Sequence, residues 1–442
     1  MINLVFEDSE NIKNCFDERE VLDGGYRITT SPYANHLRRM SGYFSEIGHN
    51  GNVIELNNKI YKINIYHFGE SFDGKYIIPV GVNQSPKEWI GRDYPLEGNP
   101  HNFVNIFDKL NEQYQKDLRE GNAFLMIDNS LEGYHDDFIL THLYDSAVNR
   151  WIKPSQIIYV TGNLNIENNL KEWIDKNRGK EPIKVIPYAH FEYDISRKKE
   201  KILKENPLSF PTYKQQYEYK KENYDNIKVY NFLNKKPRDH RMWMFDALRQ
   251  WDLLKDGIVS MNKLDRDREL NIDFNIKKKS DIIESNKILP IYAYGDDTND
   301  KIFDYYMYNF NTQSSLDSWF TIVSETHYED KQKTVFISEK TFKAIANNHP
   351  FIIMGNRHSL RYLKQLGYKT FHDLIDESYD ELESIHRMTA IIEEVRKWVS
   401  NPNRLQHFEW MNKIIEHNSE VFKFNALFKP PTKFFDVIKW LK

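Results

Sequence analysis

The chain carries one cysteine, Cys15, in 442 residues. That excludes an intramolecular disulfide framework and a cysteine-built zinc cluster, and it suits a reducing compartment. No apolar run approaches the ~18 residues of a membrane span, and the polar start "MINLVFEDSENIKN" lacks the apolar stretch of a secretory signal. The expectation is a soluble, cytoplasmic protein. Strong charge of either sign is missing too: 61 basic against 65 acidic residues give a net charge of -4. A chain coated in basic residues for nucleic acid is thereby excluded, although a local basic groove is not. No GxGxxG and no HExxH occur, and "GNRHSL" lacks the Gly-Lys-Ser/Thr of a phosphate-binding loop.

What is present is an alternation of short apolar runs with helical patterns. Strands are expected at "KYIIPVGV" (75–82), "AFLMIDNS" (123–130), "QIIYVTGN" (156–163) and "IKVIPYAHFE" (183–192). Helices are expected between them, around 101–119, 136–149 and 165–177. Continuous apolar strands alternating with helices indicate βαβ units, hence a parallel sheet covered on both faces. Residues 195–225 are charged, contain prolines and show no clear strand, so they read as a connector with some helix. The pattern then restarts with "IKVYNFL" (227–233), a helix from about Asp239 to Leu254, "GIVSMN" (257–262), a charged insertion over 264–287, a further strand at "ILPIYAYG" and another in "DSWFTIVSET". Helices follow over 380–400 and 403–418. The tail "FFDVIKWLK" is amphipathic and suited to packing back on the first domain. The economical architecture is α/β, with two Rossmann-like parallel-sheet domains facing a cleft (1–225 and 226–442). Aromatics are abundant, 27 Tyr and 27 Phe, but many alternate with core positions, which assigns them mainly to packing.

One stretch combines these signals with charge: "TVFISEKTFKAIANNHPFIIMG" (334–355) reads as strand, helix and second strand. Ser338 is an N-cap candidate, which puts Glu339 and Lys340 in the first helical turn with Lys343 one turn on. That turn has unpaired N–H groups and the positive end of the helix dipole, both favourable to phosphate. A lysine there neutralises phosphate charge, and a glutamate accepts hydrogen bonds from ribose hydroxyls. The competing account is an ordinary ion pair between Glu339 and Lys343 at i,i+4.

The segment "FTIVSET…FISEKTFKAIANNHPFIIMG" resembles the donor-binding region of the α1,3-fucosyltransferase family. The likeness is carried by Phe320, Glu325, Ile337, Ser338, Glu339, Lys340 and Phe342, then by "HPFIIMG". The family's asparagine after the first glutamate is Thr326 here. A second segment, "YNFLNKKPRDHRMWMFDALRQWDLLKDGIVS", resembles the family's earlier element, in which a strand and an Asn lead to an Arg opening a helix. The resemblance implies that Glu339 and Lys340 hold ribose and diphosphate, and that Arg238 or Arg241 reaches the diphosphate, a role suited to bidentate guanidinium geometry. The two segments cover roughly a quarter of the chain. The chain as a whole is also similar to glycosyltransferase-like proteins of large bacteriophages, through "IIYVTGN", "IKVIPYAHFE", "NKKPRDHR" and "ISEKTFKAIANNHPFI".

These resemblances imply a glycosyltransferase of the GT-B type, inverting, that moves a sugar from a GDP- or UDP-sugar without a required cofactor. The donor would be held by Arg238, Arg241, Glu325, Ser338, Glu339, Lys340 and Lys343. An inverting transferase needs a base at the acceptor hydroxyl. "IDNSLEGYHDD" offers Asp128, Glu132, His135 and Asp136, and "IPYAHFEYD" offers His190 and Glu192, with Glu132 and then Glu192 as first choices. A metal alternative rests on "YGDDTND" (294–300), whose composition also suits a plain turn; no metal is expected. Two acceptors remain open, a glycan or a hydroxymethylated base of phage DNA. The latter would place the protein in a host cytoplasm and would need a basic groove from Arg197-Lys198-Lys199, Lys235-Lys236 and Lys277 to Lys279. A non-catalytic sugar-nucleotide or glycan-binding protein is the competing function.

Overall fold

The computed structural model describes residues 2–6, 28–29, 33–34, 53–56, 59–67, 73–82, 106–133, 137–264, 284–291, 293, 309–329, 333–428 and 433–441. The chain forms two compact α/β units. One comprises Met1–His190, Lys331–Phe336 and Leu427–Lys442; the other comprises Phe191–Asp330 and Ile337–Ala426.

The first unit is built on a sheet of eight strands in the order β3-β4-β1-β5-β6-β7-β8, with β2 also on β5. These are β1 (Ile2–Phe6), β2 (Ile28–Thr29), β3 (Val53–Leu56), β4 (Lys59–His67), β5 (Tyr76–Val82), β6 (Ala123–Asn129), β7 (Ile157–Thr161) and β8 (Lys184–Pro187). All pairings are parallel except β3 with β4 and β2 with β5. Every residue of β6 and of β7 is buried, as expected for central strands covered on both faces. Helices α1 (Glu112–Glu120), α2 (Asp137–Val148) and α3 (Ile166–Lys176) link the later strands. Asn111 caps α1 by accepting from Gln113 N–H at 2.8 Å, and Gly121, at φ 82°, ends it in the left-handed conformation. The C-terminal helix Phe434–Leu441 belongs to this unit, as its amphipathic pattern suggested: Val437 is buried, Lys433 pairs with Glu167 at 2.8 Å, and Lys184 lies over the Trp440 ring.

The second unit holds a four-stranded, wholly parallel sheet in the order β10-β9-β11-β12. Its strands are β9 (Lys228–Leu233), β10 (Gly257–Ser260), β11 (Ser318–Ser324) and β12 (Phe351–Met354). Seven helices matter below: α4 (His190–Glu205), α5 (Tyr213–Glu222), α6 (Asp239–Gln250), α7 (Glu339–Ala346), α8 (Ser359–Gln365), α9 (Ser384–Ser400) and α10 (Asn412–Phe428).

Several expectations need correction. The strand placed at 183–192 stops at Pro187, and α4 begins at His190. The units part at 190/191 rather than 225/226, because the charged stretch 195–225 is not a connector. It forms most of α4 and all of α5, and two of its lysines turn inward while Lys201, Lys204, Lys214 and Lys221 stay exposed. Lys199 donates to Ala346 O, and the fully buried Lys220 donates to the carbonyls of Ser315, Leu316 and Ser318. A lysine stem is apolar enough to bury, and its ammonium satisfies carbonyls at a helix end. Residues 334–338 are not a strand, although Val335, Phe336 and Ile337 are buried. The strands at 2–6, 53–56 and 59–67 were not expected, because short, mixed runs give little periodic signal. Lys277 to Lys279, His135, Asp136 and 294–300 lie outside the described residues. Among those that are described, no helix is long and apolar enough to cross a membrane.

Candidate functional site

In the second unit the chain leaves β9 to one side to make β10, then returns to the other side for β11 and β12. The carboxyl ends of β9 and β11 therefore flank a topological switch point, the place where ligands gather in open α/β sheets. The donor-side residues gather here. Arg238, His240 and Arg241 follow β9, Glu325 to His327 follow β11, and Ser338 to Lys343 start α7.

Glu325 is the hub of this group and is fully buried. Its carboxylate accepts from Ser338 N–H at 3.2 Å, from the Ser338 hydroxyl, and from Thr341 Oγ1 at 2.5 Å. Burial raises its pKa, against the pull of Lys340 and of these donors. Its backbone N–H donates to Met354 O at 3.0 Å, so the residue also ties the ends of β11 and β12. Gly355 makes this approach possible, since a Cβ there would lie 3.1 Å from Glu325 Cγ. Ser338 caps α7 as the sequence suggested, its hydroxyl accepting weakly from Lys340 N–H at 3.4 Å.

Lys340 is the cation at the mouth of the helix. Its ammonium lies 2.6 Å from Glu339 Oε1 and 3.2 Å from both Ser338 Oγ and Thr326 Oγ1. Burial opposes the Glu339 charge, but Lys340 and then Lys343 outweigh it and hold the carboxyl at about 2. The ion pair is thus with Lys340, the adjacent residue, while Lys343 acts on Glu339 through the field. Burial pulls Lys343 down to about 8, partly countered by Glu339.

The two arginines differ. Arg238 precedes α6, is half-buried, and donates to Thr326 O at 2.9 Å. Arg241, 4% exposed, donates from Nε to Ser324 Oγ, from one terminal nitrogen to Lys236 O, and from the other to the carbonyls of Ser324 and Glu325. Its fork clamps the end of β11, which makes it a positioning residue more than a phosphate ligand. His240 completes the clamp. It donates from Nε2 to Glu325 O at 3.0 Å and stacks on Tyr328, and burial with the adjacent Arg241 drives its pKa well below the ordinary value. Burial, then Arg238 and Lys340, likewise lower His327 to about 4. Both histidines are neutral at physiological pH.

The electrostatic balance follows directly. The coupled groups are four cations (Arg238, Arg241, Lys340 and Lys343), two carboxylates (Glu325 and Glu339) and two neutral histidines. Among these groups cations outnumber carboxylates four to two beside the positive end of α7, with Asp239 a further acid next to Arg238. Gathering like charges in a partly buried place is costly, and an anion relieves that cost. Thr341, His240, His327 and Asn234 were not singled out from sequence. Asn234, 6% exposed at the end of β9, has neither amide atom paired within the protein. The only advance signal for it was an asparagine closing a strand at a carboxyl edge.

The acceptor-side candidates separate. Glu132 sits half-buried in the turn after β6, in the first unit. Its carbonyl accepts from Gly162 N–H at 3.1 Å, and its N–H donates to Asn129 O. Glu192 lies in the first turn of α4 and belongs to the second unit, not to an acceptor-side loop. Its carboxylate accepts from Tyr368 Oη at 2.6 Å and from the Asn425 amide, tying α4 to α10. Asp128 takes the N–H groups of Tyr33 and Ser130. Of the basic run 197–199, Arg197 lies over the Tyr193 ring and stays exposed, while Lys199 turns inward to Ala346 O.

Among the described residues His358, Asp380 and Glu381 bring ligand-type atoms within 4.8 Å of one another. Asp380 is occupied by the N–H groups of Leu360 and Arg361, and Glu381 pairs with Arg361, so this is a capped helix start. An open cavity of about 340 Å³, lined by Phe210, Phe310, Asn309 and Asn311 among others, shares no residue with the cationic cluster.

No protein-family model matches the chain, and neither does any curated protein sequence. Among solved structures it is similar to the N-terminal domain of trehalose-6-phosphate phosphatase from Candida albicans. The TM-score is 0.33 and the identity 9%, over 94% of this chain and 96% of that one. A likeness that weak carries no argument, so the functional reading rests on the site.

Proposed function

We propose that the second unit binds a nucleoside-diphosphate sugar and that the protein transfers the sugar to an acceptor hydroxyl. The observation that carries this reading is the gathering of Arg238, Arg241, Lys340 and Lys343 over the α7 start at the β9/β11 switch point. A diphosphate has the charge to match it. In this reading Lys340, Lys343 and Arg238 neutralise the diphosphate, Glu339 accepts from ribose hydroxyls, and Glu325, Ser338, Thr341, His240 and Arg241 hold those groups in place. In the transfer, the acceptor oxygen bonds to the anomeric carbon as the bond to the β-phosphate oxygen breaks. The diphosphate leaves with the electron pair, and the acceptor proton passes to a base, for which Glu132 is the candidate. Stabilising the departing charge supplies most of the catalysis, with positioning supplying more. The resemblance to α1,3-fucosyltransferases favours inversion.

A saccharide is the proposed acceptor. The alternative, modified DNA, needs a basic groove, and one of the runs expected to build it is turned inward at Lys199. Thermal-shift measurements against GDP, UDP, CMP and their sugars test the donor reading, since a ligand of the native state raises the melting temperature. A shift with a GDP- or UDP-compound that is lost in Lys340→Ala is expected, and no shift with any of them overturns the reading. Turnover is then tested by release of nucleoside diphosphate with oligosaccharide or hydroxymethylcytosine-containing duplex. Binding without turnover on either would make the protein a sugar-nucleotide-binding module.

A further inference from the structure

Lys340 has three ammonium hydrogens, and the free protein offers three acceptors: Glu339 Oε1, Ser338 Oγ and Thr326 Oγ1. A phosphate oxygen therefore cannot simply add to Lys340; it must take the place of one of these. Glu339 is the only charged acceptor of the three and the closest, so it already occupies the position that an anion needs. The Glu339 side chain is only 17% exposed. Once displaced, its carboxylate is still ionised, with Lys343 nearby, and has lost its nearest donor. It keeps its own backbone N–H as a donor, but a partly buried carboxylate that loses a charged donor is still penalised. The cost is offset only if the incoming molecule brings hydrogen-bond donors of its own. Inorganic diphosphate brings at most one P–OH near neutral pH, on the anion itself, whereas a nucleoside diphosphate adds two vicinal ribose hydroxyls on a separate arm.

We propose that Glu339 is a specificity-determining residue: it stands in for phosphate on Lys340 in the free protein, and so makes anion binding conditional on hydroxyl donors carried by the same ligand. This rests on the donor reading above and adds to it a reason for the adjacency of the two residues. A glutamate that only accepted from ribose could sit anywhere within reach of the sugar. One that must also be exchanged against phosphate has to reach the lysine.

Calorimetric titration of the full-length protein with inorganic diphosphate, GDP and UDP tests it, on wild type, Glu339→Ala and Glu339→Gln. Removing a negative charge strengthens every anion alike, so the measure is the ratio of the Kd for inorganic diphosphate to the Kd for the better nucleotide. In Glu339→Ala that ratio is expected to fall by about tenfold or more, equal to about 1.4 kcal/mol of lost discrimination. Glu339→Gln, which keeps the side-chain shape, should move it the same way and guards against a folding defect in the alanine variant. An unchanged ratio in the folded variants, with wild type binding GDP or UDP, overturns the inference and leaves the donor reading standing. Absence of nucleotide binding by wild type overturns both.

Discussion

Glu325, buried at the end of β11, accepts from both the backbone N–H and the hydroxyl of Ser338, thirteen residues further along the chain. This one carboxylate fixes where α7 starts, and with it where Lys340 and the N–H groups of the first turn point. Replacing it by alanine leaves the Ser338 N–H and the Thr341 hydroxyl buried without an acceptor. Glu325→Ala should therefore cost about 3 kcal/mol, a typical sum for two such groups. Calorimetry should show the melting temperature several degrees lower. Wild-type stability in this variant would show that Glu325 does not set the helix start.

The two carboxylates of the cluster should respond to acid in opposite directions. Burial holds Glu325 above its ordinary pKa, so protonating it favours the fold as pH falls. Glu339, at about 2 against an ordinary 4.5, is the reverse case. Its folded-state value lies below its unfolded one, so its contribution is complete above pH 4.5 and is lost as pH falls towards 2. The shift corresponds to a contribution on the order of 3 kcal/mol. Denaturant midpoints measured between pH 5 and pH 2 should fall more steeply for wild type than for Glu339→Gln. Parallel curves would contradict the assignment.

Donor affinity should carry the titration of Lys343. Burial leaves it at about 8 in the free protein, so it is charged below that pH and neutral above it. A bound diphosphate raises its pKa, and binding above pH 8 must then take up a proton. Kd should be flat below pH 8 and rise by up to about tenfold per pH unit above it. Lys343→Met should bind more weakly at pH 7 and lose the pH dependence between 8 and 10. A dependence that survives the substitution would locate the titrating group elsewhere.

In the first unit, Phe336 fills the space above two glycines. A Cβ on Gly133 would lie 2.2 Å from Phe336 Cγ, and one on Gly162 would lie 2.6 Å from Phe336 Cε2 and 2.7 Å from Ser130 O. Gly133→Ala should destabilise by about 1–3 kcal/mol, the usual cost of overpacking. Phe336→Ala should reduce that penalty in a double-mutant cycle, because the clash is with the ring and its Cβ. A purely additive cycle would show that the strain lies in the backbone at 133.

Arg241→Lys separates positioning from ligation. Lysine cannot reproduce a fork that meets Ser324 Oγ and the carbonyls of Lys236, Ser324 and Glu325. Thermal stability should fall by about 2 kcal/mol. A change in nucleotide Kd without loss of stability would return Arg241 to the role of phosphate ligand.

Much of this was legible in the chain itself. The apolar runs that became β5, β6, β7, β9 and β11 are continuous because both faces of a parallel sheet are covered. Ser338 announced its helix because a serine with helix formers after it satisfies a free N–H locally. These are short-range effects, and a window of ten residues contains them. What the windows did not contain was burial. The lysines of 195–225 look solvated in sequence, yet Lys199 and Lys220 are drawn inside by carbonyls about 95 to 147 residues distant. Glu192 looked like a loop carboxylate beside a strand, and became a tie between α4 and α10. Glu325 and Arg241, read as donor ligands, are turned toward protein atoms.

The sequence by itself determined two α/β units on mainly parallel strands, the start of α7 and the presence of glutamate beside lysine in its first turn, because periodicity and capping act between near neighbours. Only the tertiary structure decided that Lys340 is engaged by Glu339 and that four cations gather with two carboxylates, because the order β10-β9-β11-β12 brings residues a hundred positions apart to the same sheet edge.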